Sequence, residues 1–348
     1  MALMQDILRQ LVALGASDLH MATGRRPRAR LHGRLQDMEF PELDGRQMEA
    51  CMRSIVDGAR FDAFKEQGDL DFAYEIPSVA RFRCNYLATH SGLAAVLRVV
   101  SDEVIPLESL NMPPLLEELT RRRSGLILVT GPTGSGKSTT LAALIDAINA
   151  KQPRHIILIE DPIEFVHESK TGFITQREVG THTESFSAAL QGAVREDPDV
   201  ILVGEMRDHE TVSMTLTAAE MGFLVFGTLH TNGAGKTIDR LVDIFPEERQ
   251  GLVRNQLANS LVAIVSQLLL PSSDGEGRVA ACETLVATTA FRKLVREGNN
   301  HLVASYMQQH RAQGCVSMDE AIVQRVNAGL VNRDDALHYL RDEGALAS

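Results

Sequence analysis

Gly131-Pro-Thr-Gly-Ser-Gly-Lys-Ser-Thr139 is the stretch on which the reading of this chain turns. It fits the spacing G-x-x-x-x-G-K-[ST], with Gly131, Gly136, Lys137 and Ser138 at the required positions. Its flanks fit as well. Leu126-Ile-Leu-Val-Thr130 before it reads as a strand, and Leu141 to Ala150 after it reads as a helix. Gly131, Gly134 and Gly136 let backbone N–H groups turn inward and cradle phosphate oxygens at a helix N-terminus, with Pro132, Thr133, Ser135 and Thr139 completing the loop. Lys137 can reach the outer phosphates, and the Ser138 hydroxyl can ligate Mg²⁺. A ligand-free glycine-rich turn is the plainer reading. With every key position and both flanks in place, nucleotide binding is expected.

Working outward, the chain downstream of residue 115 alternates strands and helices. Apolar runs at 126–130, 155–160, 200–204 and 223–229 are rich in Ile, Leu and Val and alternate little, as parallel strands buried on both faces do. Helical patterns fall between them at 138–150, 185–194 and 209–221, and the chain after Leu252 reads as mostly helical. Each strand ends in polar residues. The second runs into Glu160-Asp161-Pro-Ile-Glu164, where a carboxylate can position Mg²⁺ or the attacking water, or simply be solvated. The third, Asp199-Val-Ile-Leu-Val-Gly-Glu205, has the Walker B arrangement, and Glu205 is the candidate to orient and deprotonate water. The fourth ends in Gly227-Thr-Leu-His230-Thr231. A lone histidine is more often structural, but His230 falls at the ligand edge, where it can hydrogen-bond phosphate or Glu205.

Upstream, residues 1–100 have a different texture. Met1 to Leu14 is an amphipathic helix with no signal-peptide features. Arg28-Ala-Arg-Leu-His32 and Val79 to Tyr86 read as strands, and Asp44 to Phe64 has helical apolar spacing. The proline-bearing stretch 101–114 reads as a linker, giving domains at 1–100 and 115–348. Arg81 and Arg83 share one side of a strand, whose solvated face is their plainer role. Arg98, Arg195, Arg207 and Arg240 are equally ambiguous.

Composition sets bounds. With 348 residues and a net charge of -11, a broad nucleic-acid-binding surface is not expected, and a DNA motor is disfavoured. The best membrane-span candidate, Leu257 to Leu270, is too short and contains Asn259, Ser260, Ser266 and Gln267. The four cysteines are scattered, with no zinc or redox spacing, and read as buried thiols.

Taken in order, these strand-end motifs resemble the secretion ATPase superfamily, and within it the type IV pilus retraction ATPases (PilT-type). The resemblance covers nearly the whole chain. It includes Gly15-Ala-Ser-Asp-Leu-His20, Gly68-Asp-Leu-Asp-Phe72, Val79-Ala-Arg-Phe-Arg83, the Asp box Ile159 to Phe165, Gln176-Arg-Glu-Val-Gly180, the Walker B run Arg195 to Asp208, and the His box ending Thr228-Leu-His-Thr231. It implies an α/β fold: a RecA-like P-loop ATPase domain with a helical C-terminal segment and a smaller PAS-like α+β N-terminal domain. It implies a homohexamer that hydrolyses ATP with Mg²⁺. Such a ring works in the cytoplasm, peripheral to the inner membrane, on a pilus platform protein and in some cases beside a second retraction ATPase. By resemblance Glu205 is the catalytic glutamate, Glu160 the acid near metal and water, and His230 the second His-box histidine. Arg81, Arg83 and Arg98 fall where family arginines approach nucleotide.

Two departures stand out. The family's Gly-His-Leu-Val is Gly222-Phe223-Leu-Val here, and phenylalanine offers no hydrogen bond. The family's AIRNLIRE is Ala290-Phe-Arg-Lys-Leu-Val-Arg-Glu297, which by itself reads as an amphipathic helix with Phe291, Leu294 and Val295 inward. These leave an accessory retraction paralogue, or a nucleotide-gated regulatory subunit with weak hydrolysis, as the alternative. The absence of a tetracysteine module favours retraction over assembly.

Overall fold

The computed structural model describes residues 2–31, 33–100, 104–275 and 277–346. His32, at the end of one expected strand, and residues 101–103 of the expected linker lie outside them. The chain divides into two compact units, Met1–Glu103 with Glu164–Val166, and Val104–Ile163 with His167–Ser348.

The first unit is built on an antiparallel sheet of β1 (Asp18–Ala22), β2 (Arg28–Leu31), β3 (Arg34–Asp37), β4 (Asp69–Ile76), β5 (Ala80–Thr89) and β6 (Gly92–Val100), in the order β3-β2-β1-β6-β5-β4. Period-two alternation sends Phe82, Cys84 and Tyr86 of β5 into the core. Helix Ala2–Ala13 adds Met4, Ile7, Leu8 and Leu11, the spacing of one helical face. The helical spacing from Asp44 to Phe64 resolves into two helices, Gly45–Arg53 and Gly58–Gln67. Each has its own aspartate cap. Asp44 accepts from Gln47 N in a capping box, and Asp57 accepts from Ala59 N and Arg60 N.

The second unit contains β7 (Gly125–Thr130), β8 (His155–Glu160), β9 (Phe173–Glu178), β10 (Val200–Val203), β11 (Leu224–Leu229), β12 (Leu261–Pro271) and β13 (Arg278–Val286). Their order is β13-β12-β7-β11-β10-β8-β9, parallel except for β13, which runs antiparallel to β12. Both faces are buried. Leu126, Leu128, Ile157, Ile159, Ile201 and Val203 enter one apolar cluster, while Ile127, Val129, Ile156, Leu158, Val200 and Leu202 enter another. This explains the unalternating runs.

The expectation of a mostly helical chain after Leu252 is corrected. Helix Glu247–Ser260 passes directly into β12 at Leu261, and β12 pairs with β13 over nine positions from Ala263↔Val286 to Pro271↔Arg278. Helices dominate only from Thr289 onward. The apolar run Leu257 to Leu270 is therefore the end of a helix joined to a core strand. Among the described residues no helix is long and apolar enough to cross a membrane.

Candidate nucleotide site

The C-terminal edge of the second sheet gathers the polar strand ends in strand order. The phosphate loop joins β7 to helix Lys137–Lys151. Gly131, Gly134 and Gly136 all have positive φ, at 144°, 78° and 84°. A side chain at Gly131 would collide with the Gln267 carbonyl oxygen and come within 2.6 Å of Ser135 Oγ. The loop thus lies flat against β12, and only glycine fits there. Gly136 caps the helix without a side-chain bond, which leaves the first-turn N–H groups to the loop. Ser135 Oγ is buried with no hydrogen-bond partner in the chain, as suits a hydroxyl in a phosphate cradle. Ser138 and Thr139 are half-buried on the first helical turn, and Thr133 and Gly134 lie at the exposed rim beyond half-buried Pro132. Lys137 is buried, and its Nζ donates to Gly131 O at 2.9 Å and Pro132 O at 3.0 Å.

Next in strand order is β11. His230 stands between two partners, with Lys137 Nζ 3.4 Å from its Nδ1 and Glu205 Oε1 3.2 Å from its Nε2. Lysine only donates, so Nδ1 accepts, and the ring proton resides on Nε2, directed at Glu205. Glu205, after β10, also meets Arg207 through both oxygens, with Nε–Oε1 and Nη2–Oε2 each 2.6 Å. Burial pushes the Glu205 carboxyl up, but the Arg207 hydrogen bond and charge, with His230, outweigh it and hold the group below its ordinary value. Glu205 is therefore an ionised carboxylate at neutral pH. Its backbone is fixed by the Thr228 hydroxyl, which donates to Gly204 O, and by Met206 N, which donates to Thr228 O at 3.1 Å.

Glu160 ends β8, and its Oε1 accepts from Gln176 Nε2 at 2.9 Å. The Gln176 amide is oriented by its other end, which accepts from His167 N at 3.0 Å. Two residues along β9, the buried Glu178 accepts from Ile163 N at 3.1 Å and Thr181 Oγ1 at 2.9 Å. Strand β9 therefore clips the turn after Glu160 at several points.

Two of the three candidate arginines of the first unit, Arg98 and Arg81, have local carboxylate partners. Arg98 Nε lies 2.8 Å from Asp18 Oδ1, and Arg81 Nη1 lies 4.0 Å from Glu75 Oε2. Arg83 pairs in register with Arg98 across β5 and β6. Phe223 precedes β11 at the opposite end of that strand from His230, half-buried against the core, so its lost polarity does not touch the phosphate edge. Segment 290–297 is helix Thr289–Glu297, with Phe291 and Val295 fully buried and Leu294 half-buried. All four cysteines are free and buried, and burial raises the Cys282 thiol to about 12.

The profile of the family described as type II/IV secretion system protein matches residues 1–338. The chain belongs to this family. A twitching motility protein of Neisseria gonorrhoeae is 48% identical over 305 residues, covering 88% of this chain and 82% of that protein. The type IV pilus retraction ATPase PilT of Pseudomonas aeruginosa is 46% identical over 322 residues, covering 92% and 93%. The type IV pilus ATPase PilU of the same organism is 36% identical over 335 residues, covering 96% and 88%. The crystal structure of a pilus retraction motor PilT with bound ADP superposes with a TM-score of 0.90 at 44% identity, covering 98% of both chains. The α/β fold expected from the motifs is the fold of this secretion ATPase family.

Several site neighbours were not assigned from the sequence. Ser266 and Gln267 lie on β12, which the helical reading hid. Gln267 Oε1 accepts from Thr140 Oγ1 at 2.8 Å, tying the phosphate-loop helix to that strand. Gln176 falls within a recognised motif, but nothing in its spacing announced a bond to Glu160.

Proposed function

We propose that this secretion-family ATPase is the motor of type IV pilus retraction, a homohexamer that couples Mg²⁺-dependent ATP hydrolysis to removal of pilin subunits. The observation that carries the reading is the continuous line Lys137–His230–Glu205–Arg207 beside the phosphate loop. Lys137 and the loop N–H groups bind the outer phosphates, and Glu205, kept ionised by Arg207, takes the proton of the attacking water. His230 orients Glu205. Ser138 and Glu160 would hold Mg²⁺, which supplies charge neutralisation at the transferring phosphate. Among the described residues no three acidic, histidine or cysteine side chains form a self-sufficient metal cage. That suits an ion held by one or two protein groups together with phosphates.

In this reading residues 1–100 are the PAS-like N-terminal domain, and 101–114 links it to the ATPase domain, residues 115–348. Arg81, Arg83 and Arg98 serve the nucleotide of a neighbouring subunit. The ring acts in the cytoplasm, peripheral to the inner membrane, on a platform protein of the pilus base. An accessory role beside a second retraction ATPase is the alternative.

The test is turnover of purified protein with Mg²⁺. Lys137→Ala and Glu205→Gln should each lower kcat by about 10²–10⁴, with ATP binding retained in Glu205→Gln. Wild-type turnover no faster than both variants would refute hydrolysis. Gene deletion separates the roles. Excess unretracted pili support the main motor, normal retraction supports an accessory one, and bald cells would overturn retraction.

A further inference from the structure

The turn that joins His230 to helix Ala234–Asp243 lacks its own cap. Gly233 precedes the helix with no side-chain bond to its first turn. The first-turn N–H of Ala234 instead donates to Glu283 Oε1 of β13 at 2.7 Å, and Gly233 N donates to Ser266 Oγ of β12 at 2.9 Å. Glu283 is 5% exposed. A carboxylate at that depth needs partners: besides the Ala234 N–H, the Arg341 guanidinium forms an ion pair with it, Nη1 lying 3.8 Å from Oε2 on a side chain that is otherwise mostly exposed. The Arg341 backbone is held in turn, because Asp319 accepts from Arg341 N at 3.0 Å and Asp342 N at 3.2 Å. A side chain at Gly233 would fall 3.0 Å from Arg341 Nη2 and 3.3 Å from Glu283 Oε1, so this turn is pressed against both groups. Tyr339 and Arg341 also close a cavity of about 170 Å³ whose other walls include Gly131, Asn232, Gly233 and Gln267.

We propose that Glu283 and Arg341 form a brace in which the C-terminal segment caps the His-box turn from outside and thereby positions His230 against Glu205. Both are positioning residues, and the inference rests on the reading of His230 given above. It makes the segment around Arg341 a lever on hydrolysis, since displacing Arg341 loosens the turn without touching the phosphate loop's own bonds.

The experiment compares full-length wild type with Arg341→Ala, Arg341→Lys, Glu283→Gln, the Arg341→Ala/Glu283→Gln double variant and His230→Ala, in ATP turnover and ADP affinity. Arg341→Ala should lower kcat on the order of tenfold, less than the hundredfold that an ångström of misplacement can cost. ADP affinity should stay within about twofold. Glu283→Gln keeps an oxygen for Ala234 N but loses the ion pair, so it should match Arg341→Ala, and the double variant should fall no further. Arg341→Lys should recover part of the rate. Unchanged kcat in Arg341→Ala, losses that multiply in the double variant, or an ADP affinity that falls in step with kcat would each overturn the brace. If His230→Ala turns over as fast as wild type, the reading of His230 fails. If His230→Ala is slow while Arg341→Ala is not, the brace alone fails.

Discussion

Replacing Gly131 by alanine tests whether the phosphate loop lies where the geometry puts it. Gly131 has φ 144°, and an added methyl would meet the Gln267 carbonyl and Ser135 Oγ. A non-glycine residue in this backbone region costs about 1–3 kcal/mol. Forcing a methyl into a packed backbone contact costs about 1–3 kcal/mol more. The carbonyl belongs to a core strand and cannot yield, so the loop must move, and the cost falls on phosphate binding. Gly134 supplies the internal control. Its φ is 78°, but nothing lies within 4 Å of an added methyl, so Gly134→Ala carries only a left-handed penalty of about 1–2 kcal/mol. The difference between the variants is about 2 kcal/mol, roughly thirtyfold in affinity. Equilibrium titration with a fluorescent ADP analogue measures it directly. Equal affinities for the two variants, or a weaker Gly134→Ala, would refute the argument that contact with β12 sets the loop.

Two further outcomes follow from packing and charge. Phe291→Ala should destabilise the protein by about 3–5 kcal/mol, because Phe291 is fully buried with its ring 5.0 Å from Tyr306; thermal unfolding checks this, and an unshifted midpoint would show that the helix is not packed as described. Glu205 titrates below its ordinary value, so its ionised form contributes stability that is present above the unfolded-state value and lost as pH falls through the folded one. Arg207→Ala should therefore lower the melting temperature at neutral pH by an amount that shrinks on acidification, whereas a pH-independent difference would count against the pairing.

What the sequence made legible follows from how each element announces itself. Strands β7, β8, β10 and β11 are short Ile/Leu/Val runs that stop at a chemistry-bearing residue, so both the sheet and its reactive edge could be read together. Strand β12 could not. No glycine or proline separates it from helix Glu247–Ser260, and the mainly apolar stretch from Leu257 to Leu270 spans the junction with only Asn259 and Ser260 interrupting it there; the β-branched Val262, Ile264 and Val265 distinguish the strand portion. Edge strand β9 has a polar sequence, Phe-Ile-Thr-Gln-Arg-Glu, with no buried run to mark it. The bonds Gln267–Thr140 and Glu283–Ala234 span 127 and 49 residues, distances over which local pattern carries no information. Arg207 was visible only as one of several ambiguous arginines, and its position two residues beyond Glu205 did not reveal the bidentate grip.

Strand order explains why a histidine can join the lysine to the glutamate. In sequence Lys137, Glu205 and His230 come in that order, but β11 lies between β7 and β10, so the last becomes the middle. Donor and acceptor roles then follow without choice. Lys137 and Arg207 only donate, Glu205 as a carboxylate only accepts, and the imidazole alone does both. Lys137 has three N–H bonds, and its acceptors here include Gly131 O, Pro132 O and His230 Nδ1. A phosphate arriving at Lys137 must therefore displace at least one of them. Of these three, the contact to His230 is the longest, at 3.4 Å against 2.9 and 3.0 Å, and as the weakest of them is the one a phosphate would most readily replace. Releasing it frees Nδ1 while Nε2 remains beside Glu205. In the proposed hydrolytic role, phosphate binding at Lys137 and the orientation of Glu205 would thus be coupled through the His230 side chain by exchange of hydrogen bonds.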